Sequence, residues 1–115
     1  MRALILALLL FSFPAFAENS GTFATDGNGD SVRLQYGTGY VLIGAGSNQN
    51  FGSGTLTLQI QTDSGEWVQV ETYTALPDPN PVVINLGGAA ALVRLVLSGS
   101  SSPNLDWEIV ESRVR

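Results

Sequence analysis

Apolar and polar residues alternate one for one along "TLTLQIQ" (55–61), with Leu56, Leu58 and Ile60 on one side and Thr55, Thr57, Gln59 and Gln61 on the other. A period of two is the mark of a half-buried strand. The next run, "EWVQVETY" (66–73), places Val68, Val70 and Thr72 on one face and Trp67, Gln69, Glu71 and Tyr73 on the other. Between the two lies Thr62-Asp63-Ser64-Gly65, a short loop whose glycine supplies the positive φ that a hairpin needs, so the runs are expected to pair antiparallel. Similar runs recur roughly every ten residues, bounded by Gly, Ser, Asn, Asp and Pro, and no stretch keeps a helical period. The expected strands are 21–25, 31–36, 39–45, 54–61, 66–73, 82–86, 91–97 and 105–110. This pattern predicts an all-β chain, a single antiparallel β-sandwich of about seven or eight strands. Its expected core is Leu56, Leu58, Ile60, Val68, Val70, Ile84, Val93, Leu95, Leu97, Trp107 and Ile109. Pro77, Pro79 and Pro81 make a stiff extended connection rather than a central strand. Arg94 is out of step with Val93, Leu95 and Leu97 and is expected to reach solvent or a carboxylate. The stretch 110–115 is expected to form a sheet edge or a tail that docks on a neighbour.

The N-terminus reads differently. Arg2, the apolar run "ALILALLLFSF" (3–13), Pro14 and Ala15-Phe16-Ala17 follow the order of a secretory signal peptide with an A-x-A cleavage site. The run is shorter than the roughly 20 residues that span a bilayer. Residues 1–17 are therefore expected to be removed, giving a periplasmic or extracellular domain of 98 residues, 18–115, with no stable membrane anchor; the alternative is a short buried N-terminal helix kept in the mature protein. With no cysteine the domain has no disulfide to lean on and must be held by its core.

Without Arg2, four Arg stand against ten Asp plus Glu, a net charge of −6. Nucleic acid and anionic lipid both require clustered cations, so neither is an expected partner. The sequence also lacks His and Lys. That removes Ser-His and Cys-His nucleophile pairs, Schiff-base chemistry and ordinary zinc sites, and no cofactor is expected. What remains is a carboxylate pair of the glycosidase kind. Glu66 with Glu71 and Glu108 with Glu111 are the candidates, both expected on solvated faces or at the chain end, and the expectation is no enzyme.

Two groups of residues invite a binding reading. In "DGNGDS" (26–31), Asp26, Asn28 and Asp30 sit at the alternating positions of a calcium-binding loop. Such a loop wants Gly at its sixth position and Glu at its twelfth, but counting from Asp26 these are Ser31 and Gly37. Asp-Gly and Asn-Gly are also strong turn signals. A turn is the expected reading, with a weak calcium site on Asp26, Asn28 and Asp30 as the alternative. Trp67 and Tyr73 are aromatics on a polar face and suggest a platform on which a glycan could stack. Against this, aromatics also pack across strands for structural reasons, and no neighbouring polar groups converge on them.

The order "LQIQTDSGEWVQVETYT" followed by "VVINLGGAAALVRLVLSGSSSPNLDWEI" resembles the small β-sandwich accessory proteins encoded in virion gene clusters of tailed bacteriophages. In these a "DG-x-W" hairpin precedes a strand carrying an Arg and an "SG…S" turn. The resemblance covers about residues 20–111. It implies a β-sandwich that decorates a capsid or forms part of a tail or fibre through contacts with itself or with capsid or tail proteins, commonly as a homo-oligomer at the virion surface. None of the family's functional residues carries over by motif. The signal-like leader is a departure, since virion proteins are normally assembled in the cytoplasm, and it keeps open a second reading as an exported glycan-binding or adhesion module.

Overall fold

The computed structural model describes residues 18–112, all of it strand, turn and loop with no helix. The signal-peptide reading of 1–17 and the end of the expected C-terminal tail, 113–115, lie outside the described residues. The strands are β1 (Glu18–Phe23), β2 (Gly27–Asn28), β3 (Val32–Leu34), β4 (Thr38–Ile43), β5 (Thr55–Gln61), β6 (Trp67–Tyr73), β7 (Val82–Asn85), β8 (Ala91–Ser98) and β9 (Leu105–Glu111). They form two antiparallel sheets. The first has the order β1-β9-β4-β7; in the second β2 and β3 both lie along β8, followed by β5 and β6. Because β2 pairs the far end of β8 and β3 its near end, with the Gly29 amide donating to the Leu95 carbonyl between them at 2.7 Å, β2 and β3 are two pieces of one interrupted edge.

The sheets enclose the core that their alternation prescribes. Val93, Leu95 and Leu97 of β8 and Leu105, Trp107 and Ile109 of β9 point inward from the two central strands, where they meet Leu56 and Leu58 of β5, Val41 and Ile43 of β4, and Ile84 of β7. Phe23, Val32, Leu34 and Phe51 close the ends of this layer. At roughly 25 cal/mol per Å² of apolar surface removed from water, these side chains supply the main drive for folding.

Two expected core residues are not in it. Val68 and Val70 on β6 are 45% and 44% exposed, and Ile60 is only partly buried. β6 is an edge strand whose hairpin end is not covered by the facing sheet, and it is bulged. The ladder pairs Leu58 with Glu71 but Gln59 with Gln69, leaving Val70 without a partner. One extra residue in a strand reverses the side that every later residue faces. Val68 thus keeps the inward orientation that alternation predicts, opposite Ile60, but has nothing above it.

Two connections lock the sandwich at its sides. In the β6–β7 crossover the Asn80 side chain accepts from the Ile43 amide (3.3 Å) and donates to the Ile43 carbonyl (2.7 Å), extending the β4–β7 ladder by one side-chain step beyond the Val41–Val82 pair. At the sheet's other end Glu111 is the last inward residue of β9. It was expected as a solvated partner of Glu108, but only 2% of it is exposed, and its Oε2 accepts the Gln35 amide at 2.6 Å. The β9 alternation that sends Glu108 outward sends Glu111, three residues on, into the sandwich.

Candidate functional site

The bulge in β6 decides what the two aromatics can do together. Tyr73 stands opposite the buried Leu56 and packs against the core, whereas Trp67, beyond the bulge, stands opposite Gln61 on the outer side. The rings lie on opposite faces of the sheet and form no shared platform. Trp67 is joined instead by Arg94, whose guanidinium lies 4.0 Å from the ring centroid and whose Nε donates to Gln59 Oε1 at 2.8 Å. Arg94 is half-buried, and no carboxylate of the described residues pairs with it. It stacks on the indole, an attraction between the cation and the negative face of the ring. Tyr73 carries its hydroxyl into a buried position with no hydrogen-bond partner among the described residues. Burial, and secondarily the charge of Glu71, raises its pKa above the ordinary tyrosine value.

Asn28 and Asp30 border one groove beside Ser20 and Thr22, whereas Asp26 is engaged elsewhere. The Asp26 carboxylate accepts the amides of Gly99 (3.0 Å) and Ser100 (2.9 Å) and the Ser100 hydroxyl, tying its turn to the β8–β9 connection. Those bonds, the Ser100 hydroxyl first, hold its pKa below the usual aspartate value. Asn28 belongs to β2 opposite Val96, and Asp30 faces the Asn19 amide at 3.5 Å. Among the described residues no group of three or more acidic side chains is placed to hold a metal ion.

A different constellation is assembled on the outer face of the first sheet. Outward positions of β9 carry Asp106, Glu108 and Val110. The ladders set Thr22 beside Asp106, Ser20 and Leu42 on either side of Glu108, and Tyr40 beside Val110, with Val83 beyond it. These residues line two adjoining grooves that share Leu42 and Glu108. One, of about 350 Å³, is bordered by Ser20, Thr22, Asp106 and Glu108. The other, of about 190 Å³, is bordered by Tyr40, Leu42, Pro81 and Val110. Asp106 is fixed in place, accepting from Thr22 Oγ1 at 2.7 Å and Gln49 Nε2 at 3.1 Å, while its own amide donates to Gln49 Oε1 at 2.6 Å. The face is thus acidic at one end and apolar at the other.

Alternation along β9 reveals that Asp106, Glu108 and Val110 point outward, but not what stands next to them. Their neighbours come from β1 and β4, more than sixty residues away in sequence. No family model matches the chain, and no curated protein or solved structure matches it.

Proposed function

We propose that this chain is a non-enzymatic structural protein that works through protein–protein contacts, in the manner of a virion accessory component on a capsid, tail or fibre. The observation that carries the reading is the distribution of exposed apolar side chains. Among the described residues six large ones are exposed, and five of them, Tyr40, Val68, Val70, Leu76 and Val83, lie on β6, the crossover after it, β7 and its neighbour β4. Exposed apolar residues scattered singly are ordinary, whereas a concentration on one side marks an interaction surface. That side also carries two sheet edges, β6 and β7, in a protein with no lysine to discourage strand addition. β7 is short, four residues, and the seven-residue β6 is interrupted by its bulge, which suits a specific short docking better than open-ended stacking. The virion assignment itself rests on the resemblance of the hairpin and of the strand bearing Arg94.

The test is to place lysine on each edge, Val68→Lys and Val83→Lys, at positions whose exposure lets the fold tolerate the change. Sedimentation velocity of the full chain, alone and mixed with purified virus particles, should show association that both substitutions reduce. A chain that stays monomeric and does not co-sediment in any form would end the proposal.

A further inference from the structure

We infer that the outer face of the first sheet receives an extended segment of a partner protein carrying two cationic side chains two residues apart, followed two residues later by an apolar one. This rests on the protein-contact reading and names the chemistry of the partner.

Along β9 the outward row is acidic, acidic, apolar: Asp106, Glu108, Val110. Alternate residues of a strand are about 6.6–6.8 Å apart, and an extended partner segment has the same repeat. A cation-x-cation-x-apolar segment laid along β9 therefore matches the row residue for residue. Its apolar member would enter the groove between Tyr40, Leu42 and Pro81. Among the described residues the carboxylates on this face meet neutral donors, Thr22 and Gln49 at Asp106, and no cationic side chain. Both arginines of the described residues, Arg33 on β3 and Arg94 on β8, belong to the other sheet, and the sequence has no lysine. A second copy laid face to face would bring the same carboxylates together, so the occupant is a partner of opposite charge. Tyr40, 43% exposed, joins this face to the apolar side described above.

The experiment titrates the 15N-labelled full-length chain with acetyl-Arg-Ser-Arg-Ser-Tyr-amide, with its Arg→Glu counterpart, and with maltohexaose. The expected result is amide shifts at Tyr40, Leu42, Glu108 and Val110 with the arginine peptide alone. Raising ionic strength should weaken them. Glu108→Gln should lower affinity about two- to fivefold, the size of an exposed ion pair, and Tyr40→Ser should lower it as well, while Gln61→Ala on the opposite sheet should have no effect. Both groove variants change exposed or half-buried outward residues, and their unchanged spectra elsewhere would establish that they fold. No shifts with the arginine peptide, shifts confined to the second sheet, or shifts on this face with maltohexaose in its place would overturn the inference. If lysine at the edges abolishes assembly while the peptide fails to bind, only the inference falls; if neither occurs, the reading beneath it falls too.

Discussion

Trp107 shows how a single residue is accommodated by what its neighbours lack. Its indole is 5% exposed and lies beneath β1 and the β2–β3 edge, where Gly21 and Gly29 leave it room. A Cβ on Gly29 would stand 2.9 Å from the ring, and one on Gly21 3.1 Å. Gly29→Ala should therefore destabilise the domain by about 1–3 kcal/mol, the range for overpacking a filled site, and Gly21→Ala by less. Urea unfolding followed by tryptophan fluorescence checks both the size and the order. Tyr73 presents the opposite case, a group too many. Its buried hydroxyl has no partner among the described residues, so Tyr73→Phe should raise stability by about 1 kcal/mol. Because burial raises the phenol's pKa in the fold, the neutral form is favoured there. That contribution is complete below the ordinary tyrosine value of about 10 and is lost as pH rises through the folded value. Unfolding midpoints at neutral and strongly alkaline pH should diverge in the native protein and diverge less in the Phe variant.

At the scale of the strand, β6 is the element whose behaviour its alternation misstates. A bulge at Val70 and an uncovered hairpin end turn two valines of a regular pattern into surface residues. Val68→Thr and Val70→Thr should each change stability by no more than about 0.5 kcal/mol. Leu58→Ala on the adjacent strand, 3% exposed in the core, should cost about 2–5 kcal/mol. Comparable losses at all three positions in thermal or chemical unfolding would mean that β6 is covered after all. The bulge also has a consequence for binding. By sending Trp67 to the outer face with Arg94 and Tyr73 to the inner one, it divides the pair that the pattern places together.

In the whole molecule, stability depends on loops joined across the sandwich as well as on its core. Asp26 holds the turn after β1 to the connection after β8 through three hydrogen bonds from Gly99 and Ser100. Since these bonds depress its pKa, the charged form is favoured by folding. The contribution is present above the ordinary aspartate value of about 3.9 and disappears as pH falls through the lower folded value. Asp26→Asn should speed amide exchange at Gly99 and Ser100 at neutral pH, and in the native protein the same two amides should lose protection on acidification. Unchanged exchange in the variant would show that the connection is held by something else.

The sequence by itself determines the fold class, because a period of two in side-chain direction is a local property that each strand reports on its own. Eight of the expected core residues, among them Leu56, Val93, Leu95, Trp107 and Ile109, are buried for that reason. Composition likewise reduces the chemistry on offer, since a chain without His, Cys or Lys cannot form a Ser-His or Cys-His pair, a lysine Schiff base or a Cys/His zinc site. Tertiary structure alone decides what stands beside what. Ser20, Leu42 and Glu108 become neighbours only through ladders spanning more than sixty residues. Asp26 becomes a hydrogen-bond anchor only because Ser100 is brought to it, and Glu111 enters the core only because β9 continues one residue past Val110. Alternation fixes the direction a side chain points; whether something covers it, or meets it there, depends on pairing between distant segments, which no local period encodes.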